Sequence, residues 1–266
     1  MSQPRGAATF HATAAAYDRH IGRYSGDLAR SLVGTVGPRP GDRALDVGCG
    51  PGALTAELVR RLGADHVAAV DPSPSFVAAC ATRLPGVDVR QAAAEDLPFA
   101  DGSVTHAFSQ LVVNFMSDAP AGVAEMRRVA APGGGIAAAV WDYAGEMTLL
   151  RTFWDAATAL DPRAADADEG RAMGWCAPGP LRSLWERAGL EHVQVAPVVV
   201  TAAYDDLDDL WSGLEGGVGP AGAHVTSLAP AARAALKAEM HRRLGVGEEA
   251  FRLPARAWVV RGRVPR

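Results

Sequence analysis

Cysteine is scarce. The 266 residues hold three, Cys49, Cys80 and Cys176, far apart and with no CxxC pair. That spacing argues against a disulfide framework and against a zinc site, and suits a reducing, cytoplasmic setting. The seven histidines are scattered, no two at HxxxH spacing, so no metal site is expected. Basic charge is not in excess either, because the formal net charge is −4. Such a balance does not attract phosphate backbones, so nucleic acid is not an expected partner. The arginines at Arg242 and Arg243 and at Arg261 and Arg263 read as solvated faces. No run approaches the roughly 20 apolar residues that span a bilayer, and the first residues lack the apolar core of a signal peptide. Neither a membrane nor export is expected. GxSxG elbows, internal repeats and low-complexity tails are also missing.

What is present is 48% apolar content with 21% charge, the balance of a single globular domain with elaborations. Short apolar runs at 43–48, 66–71, 87–92, 104–110 and 135–141 read as buried parallel strands. Helical patterns lie between them at 53–62, 75–83 and 121–129, the last ended by Pro132-Gly133-Gly134-Gly135. This alternation implies an α/β, doubly wound sheet. Beyond Trp141 the rhythm changes. Helices are expected at 146–160, 181–188, 205–214 and 230–244, with strands at 192–204 and 255–263. The last strand is expected to be antiparallel. The glycine-rich stretch 213–222 reads as a loop or linker, and 143–190 and 205–250 as a helical substrate cap on a cofactor-binding core at 10–142.

The chemistry concentrates where the first strand meets the first helix, in Leu45-Asp46-Val47-Gly48-Cys49-Gly50-Pro51-Gly52. Glycines there permit positive φ and close ligand approach, and ligands bind beyond the carboxyl ends of such strands. A glycine turn suits NAD as well as S-adenosylmethionine. Asp46 separates the two on charge, since a carboxylate opposes a pyrophosphate but favours a sulfonium and an ammonium. Asp71 ends the second strand, the acidic pair Glu95-Asp96 follows the third, and Gln110 ends the fourth. Asp46, Asp71 and Asp96 are paired with the amino acid end, the ribose and the adenine of that ligand. The plainer readings are a turn carboxylate for Asp46, a helix cap for Asp96 and a packing role for Cys49.

In this order LDVGCGPG, VDPSPSF, AEDLPF and EMRRVAAPGGG resemble the class I S-adenosylmethionine-dependent methyltransferases, in particular the group with the ubiquinone and menaquinone biosynthesis enzymes and many bacterial small-molecule methyltransferases. The resemblance spans residues 10 to 142 and implies a Rossmann-like core. It implies that Asp71 holds the ribose hydroxyls and that Pro72 and Phe76 flank the adenine. Asp96 would meet the adenine edge, and Gly48, Gly50 and Gly52 would pack on the methionine portion. The segment AAAYDRHIGRYS resembles the family's leading helix, which makes Tyr17 and Arg23 candidates for the methionine carboxylate, an arginine being able to grip it bidentately. The chain departs from the pattern at His106, where the family often has an acid, and at Asn114, where it often has histidine.

Direct displacement of the methyl group is the expected reaction, on a small-molecule acceptor whose atom the sequence leaves open. His20, Asn114, Trp141 and Tyr143 are candidate substrate residues. His20, His106 and His224 are candidate bases, and Trp154, Trp175, Trp185 and Trp211 candidate cap aromatics. The alternatives are an S-adenosylmethionine-binding protein without transfer and an NAD-dependent oxidoreductase. A monomer or homodimer is expected.

Overall fold

A computed structural model describes residues 13–266. Residues 1–12, which hold the start of the expected core and most of the segment read for a signal peptide, lie outside it. The first half runs α1 (Ala14–Arg19), α2 (Gly22–Val36), β1 (Ala44–Val47), α3 (Ala53–Leu62), β2 (Val67–Asp71), α4 (Pro74–Arg83), β3 (Asp88–Gln91), β4 (Val104–Gln110), α5 (Ala119–Val129) and β5 (Ala130–Trp141). The second half runs α6 (Thr148–Leu160), α7 (Glu169–Ala172), α8 (Pro178–Arg187), β6 (Glu191–Tyr204), α9 (Leu207–Glu215), α10 (Gly219–Ser227), α11 (Pro230–Leu244) and β7 (Phe251–Arg263).

The strands form one sheet in the order β3-β2-β1-β4-β5-β7-β6. The first five pair in parallel, and β7 is antiparallel to both β5 and β6. The expected mostly parallel sheet with an antiparallel last strand is therefore present. Pro197 lies in β6, an edge strand, where a missing N–H costs least.

Helix boundaries follow local chemistry. Asp118 caps α5 by accepting from Ala121 N at 3.0 Å, and Pro74 and Pro120 occupy first turns, where a missing N–H is tolerated. The strand expected at 135–141 begins earlier, at Ala130, because a register shift absorbs the residues between Ala130 and Gly135. Gly134 is required there, since a Cβ would lie 2.1 Å from Thr105 O.

Along β5 the pleat divides the core. Ala137, Ala139 and Trp141 face α2, α3 and α6, while Ile136, Ala138 and Val140 face α5 and α8. Two expectations change here. Trp185 is fully buried on α8 against the sheet, so it is core and not a cap aromatic. The stretch 213–222 is not a loop throughout, for Gly213 lies in α9 and Gly219 opens α10. Gly213 packs on the chain at His20, where a Cβ would come 3.2 Å from the His20 Cα.

Candidate active site

The carboxyl ends of β1, β2 and β4 meet at a cleft of about 910 Å³, roofed by α1 and the start of α2. Its floor is the turn after β1. Gly48 N and Cys49 N both donate to Val70 O, at 2.8 and 2.9 Å, which ties the turn to β2. Gly48 has φ +79°, and a Cβ there would lie 2.4 Å from Val112 Cγ2, so only glycine fits.

Asp71 is 6% exposed and accepts from Gly50 N at 2.9 Å and from Ser73 N at 2.8 Å. Burial raises its pKa, and the two backbone donors oppose that rise. The carboxylate is thus fixed between the turn and α4. Gln110 donates Nε2 to Ser25 O at 3.1 Å, while its buried Oε1 has no partner among the described residues. Tyr17 stands edge-on to Phe76 with ring centroids 5.9 Å apart. Burial pushes its hydroxyl to about 12, so it stays a neutral donor.

Of the residues expected to hold a cofactor, the cleft brings together Tyr17, Gly48, Gly50, Asp71, Pro72, Phe76 and Gln110. Gly52, with φ +101°, caps α3 behind the turn and does not line it. The remaining four are placed elsewhere. Arg23 donates to Asp209 through both terminal nitrogens, at 2.8 and 2.5 Å, and lies over the Tyr204 ring at 4.9 Å. It joins α2 to α9 and does not line the cleft. Asp46 is fully buried beneath the turn, where its Oδ2 accepts from Thr55 Oγ1 at 2.6 Å. Burial pushes it up to about 8, so at neutral pH it is mostly a neutral acid and supplies no free counter-charge. Asp96 is exposed and lies off the cleft, with only Ala94 of that segment reaching it. Glu95 is turned to the start of α5, accepting from Asp118 N at 3.0 Å.

Sequence reading passed over Ser25, Leu111, Val112 and Phe115, which complete the cleft wall. The signal available was position, since 111–115 continue directly from the carboxyl end of β4. Leu111 has φ +64°, uncommon for a bulky residue. Among the described residues that line the cleft there is no lysine or arginine. Asp71 and the unpartnered Gln110 Oε1 therefore line the cleft together with the glycine turn and the start of α3.

A second space of about 380 Å³ adjoins the first and shares Tyr17, Leu111 and Phe115 with it. Three candidate substrate residues, His20, Trp141 and Tyr143, line it, as does Glu169, which sequence reading passed over. Asn114 does not reach it. Its amide donates to Cys176 Sγ at 3.3 Å and accepts from Trp175 N at 3.0 Å, which pins the segment before α8. His106 sits near the amino end of β4, away from the cleft, held by Asp42 at 3.1 Å and accepting from Gly135 N at 2.9 Å. His224 packs against the Phe153 and Trp154 rings and lines neither space. Of the candidate bases only His20 remains near the site.

A family model described as a methyltransferase domain matches residues 45–138, the stretch that carries the turn, Asp71 and β4. This stretch is similar to methyltransferase domains. Two curated methyltransferases share it. The malonyl-[acyl-carrier protein] O-methyltransferase of Serratia marcescens is 33% identical over 129 residues, covering 46% of this chain and 50% of that protein. The demethylmenaquinone methyltransferase of Beutenbergia cavernae is 38% identical over 109 residues, covering 40% of this chain and 43% of that protein. The chain thus spans half or less of the length of these curated relatives. A solved putative methyltransferase from Bacillus halodurans has the same fold, with a TM-score of 0.59 at 14% identity over 91% of this chain and all of that one. The matched stretch therefore sits within a Rossmann-like fold that extends to β7.

Proposed function

We propose that the protein is an S-adenosylmethionine-dependent methyltransferase acting on a small organic acceptor, in bacterial quinone or specialised metabolism. One observation carries the reading. The glycine turn, the fixed Asp71 carboxylate and the free Gln110 Oε1 meet in a cleft whose described lining has no cation, and a second, smaller space shares its wall. The curated relatives that match the same stretch are named as methyltransferases, which supports it.

When bound, S-adenosylmethionine supplies an electrophilic methyl group on a sulfonium sulfur. Asp71 would hold the ribose hydroxyls, Pro72 and Phe76 would flank the adenine, and the turn at Gly48 and Gly50 would lie against the methionine portion. Tyr17 and Gln110 offer that portion a donor and an acceptor, in place of the salt bridge expected of Arg23. Leu111 and Phe115 exclude water where the two spaces meet. Such positioning contributes about 7–11 kcal/mol in well-aligned reactions. The same reading divides the chain into a cofactor core at 10–142 and acceptor-side elements at 143–190 and 205–250. It takes the protein to act in the cytoplasm, as a monomer or homodimer, without nucleic acid or membrane. The three cysteines, all free, accord with that compartment.

Calorimetric titration with S-adenosylmethionine, S-adenosylhomocysteine and NADH tests the reading. Micromolar binding of the first two, weakened at least tenfold in Asp71→Ala, is the expected result. Binding of NADH alone would return the fold to the oxidoreductase alternative. Tight binding with no transfer to any acceptor would leave a binding protein.

A further inference from the structure

The second space has apolar walls, including Leu150 and Leu111, yet Trp141, Glu169 and His20 also line it. Trp141 is 1% exposed, and its Nε1 has no hydrogen-bond partner among the described residues. Glu169 is 3% exposed, and Trp154 Nε1 donates to its Oε2. The nearby Arg151 and Arg171 pair with Asp168 instead, so no arginine neutralises Glu169. A buried N–H without an acceptor is costly and rare, so a ligand oxygen that reached Trp141 Nε1 would gain a hydrogen bond there.

Resting on the methyltransferase reading, we propose that this chamber takes a small, largely apolar acceptor bearing a hydroxyl group, whose oxygen accepts from Trp141 Nε1 and whose proton is taken by Glu169. The argument is one of lone pairs and charge. A hydroxyl oxygen has two lone pairs, one to accept from the indole and one to attack, and it has a proton to lose. A neutral amine has one lone pair and cannot do both, and an ammonium has none. A carboxylate would bring a second negative charge beside Glu169 with no cation to offset either. The space is the smaller of the two that meet at Tyr17, Leu111 and Phe115, which limits the acceptor side to a small group.

Glu169 is the better base of the two candidates in the chamber. Burial pulls His20 down to about 4, with the Arg23 charge adding to the effect, while burial pushes Glu169 up to about 7. The carboxylate is then the stronger base of the two, and a pKa near neutrality suits a general base. The groups around it are defined. Asp168 on the same turn raises it, Trp154 on α6 and a backbone contact at Ala221 on α10 favour its charged form, and Tyr143 and Cys176 both feel its charge. In the reaction the O–H proton passes to the Glu169 carboxylate as an oxygen lone pair forms the bond to the methyl carbon. The pair of the broken carbon–sulfur bond stays on sulfur, which becomes neutral, and Glu169 later returns its proton to water.

The test uses the full chain with 15N-labelled tryptophan, the Trp141 indole resonance being assigned by its loss in Trp141→Phe. With S-adenosylhomocysteine bound, phenol, 2-naphthol and cyclohexanol are titrated in turn, with naphthalene as the probe lacking a hydroxyl. At least one hydroxylated probe is expected to move the Trp141 resonance downfield, and naphthalene is not. With that probe and radiolabelled S-adenosylmethionine, Glu169→Gln is expected to lower kcat at least a hundredfold and to abolish the rise in rate through about pH 7. Trp141→Phe is expected to raise KM about tenfold with kcat little changed. Both variants should bind S-adenosylhomocysteine within twofold of wild type, which shows that they fold. An indole resonance unmoved by all three hydroxylated probes, or a Glu169→Gln enzyme with an undiminished rate, overturns the proposal while leaving the methyltransferase reading intact. A wild-type protein that fails to bind S-adenosylhomocysteine overturns that reading, and this proposal with it.

Discussion

The Thr55 hydroxyl donates to Asp46 Oδ2 at 2.6 Å with both side chains fully buried, and it is the bond that lets a carboxyl group lie beneath the cofactor turn. Asp46 Oδ1 has no partner among the described residues, so Thr55 carries the site alone. Thr55→Val keeps the shape and removes the donor. A loss of about 1–3 kcal/mol is expected in denaturant unfolding, the usual cost of leaving a buried polar group unsatisfied. A loss below a few tenths would mean that the bond is not needed.

Asp46 also ties stability to pH. Its folded pKa, about 8, is raised above the unfolded value of 3.8, so between those values the folded state holds the extra proton. Stability from this group is therefore full in acid and falls as pH rises through about 4 to 8. Asp46→Asn removes that dependence. The variant should gain on wild type across this window, by at most about 1.4 kcal/mol per pH unit. Parallel unfolding curves for the two proteins at pH 5 and pH 8 would rule it out.

Arg23 and Asp71 are expected to separate cleanly. Arg23→Ala breaks a partly buried, two-bonded ion pair with Asp209 and should cost about 1–2 kcal/mol of stability. Affinity for S-adenosylhomocysteine should stay within twofold, because Arg23 does not line the cleft. Asp71→Ala should show the reverse weighting, with binding weakened at least tenfold. A tenfold loss of affinity in Arg23→Ala would restore the role read from the leading-helix motif.

Gly48→Ala is expected to abolish binding and lower stability by at least ~1 kcal/mol, since the new Cβ meets Val112 at 2.4 Å and φ is +79°. Adding Val112→Ala relieves the contact and leaves the backbone strain. Partial recovery in the double variant, measured by calorimetry and thermal melting together, is the expected outcome. Full recovery would show that the contact alone matters.

Trp185 and Trp141 lie on opposite faces of the sheet, and their substitution should divide accordingly. Trp185→Ala leaves a cavity between α8 and the sheet, and a loss of about 3–5 kcal/mol is expected. Any change in binding should follow that loss of folded protein. Trp141→Phe is the smaller truncation, and a smaller loss of stability is expected together with altered acceptor binding.

The fold was legible because its signals are local. A short strand buried on both faces must be apolar throughout, and a turn that opens a helix under a ligand must be glycine-rich, so β1, α3, β2 and β4 stood in the sequence within a residue or so of their observed bounds. Strand β5 was misread at its start because Pro132 and the following glycines resemble a break. Only the neighbouring β4 shows that they form an irregularity within a pair.

The cleft lining was legible by the same logic where backbone chemistry dictates the residue, at Gly48, Gly50 and Asp71. Where the side chain is long or its segment can turn, the sequence pattern left more than one destination. Arg23 could reach a ligand or Asp209, and Asp96 could face the cleft or solvent. The choice depended on residues far along the chain, 186 positions away in the case of Arg23. Glu169 left no local signal at all, since it sits in an acidic stretch that reads as a solvated loop. The sequence by itself therefore determined the class of fold and the glycine turn that floors the cleft, because those follow from periodicity and from what glycine alone permits. Tertiary packing decided which charges are spent internally and which buried groups remain free at the acceptor chamber, because desolvation and pairing depend on neighbours that only folding brings together.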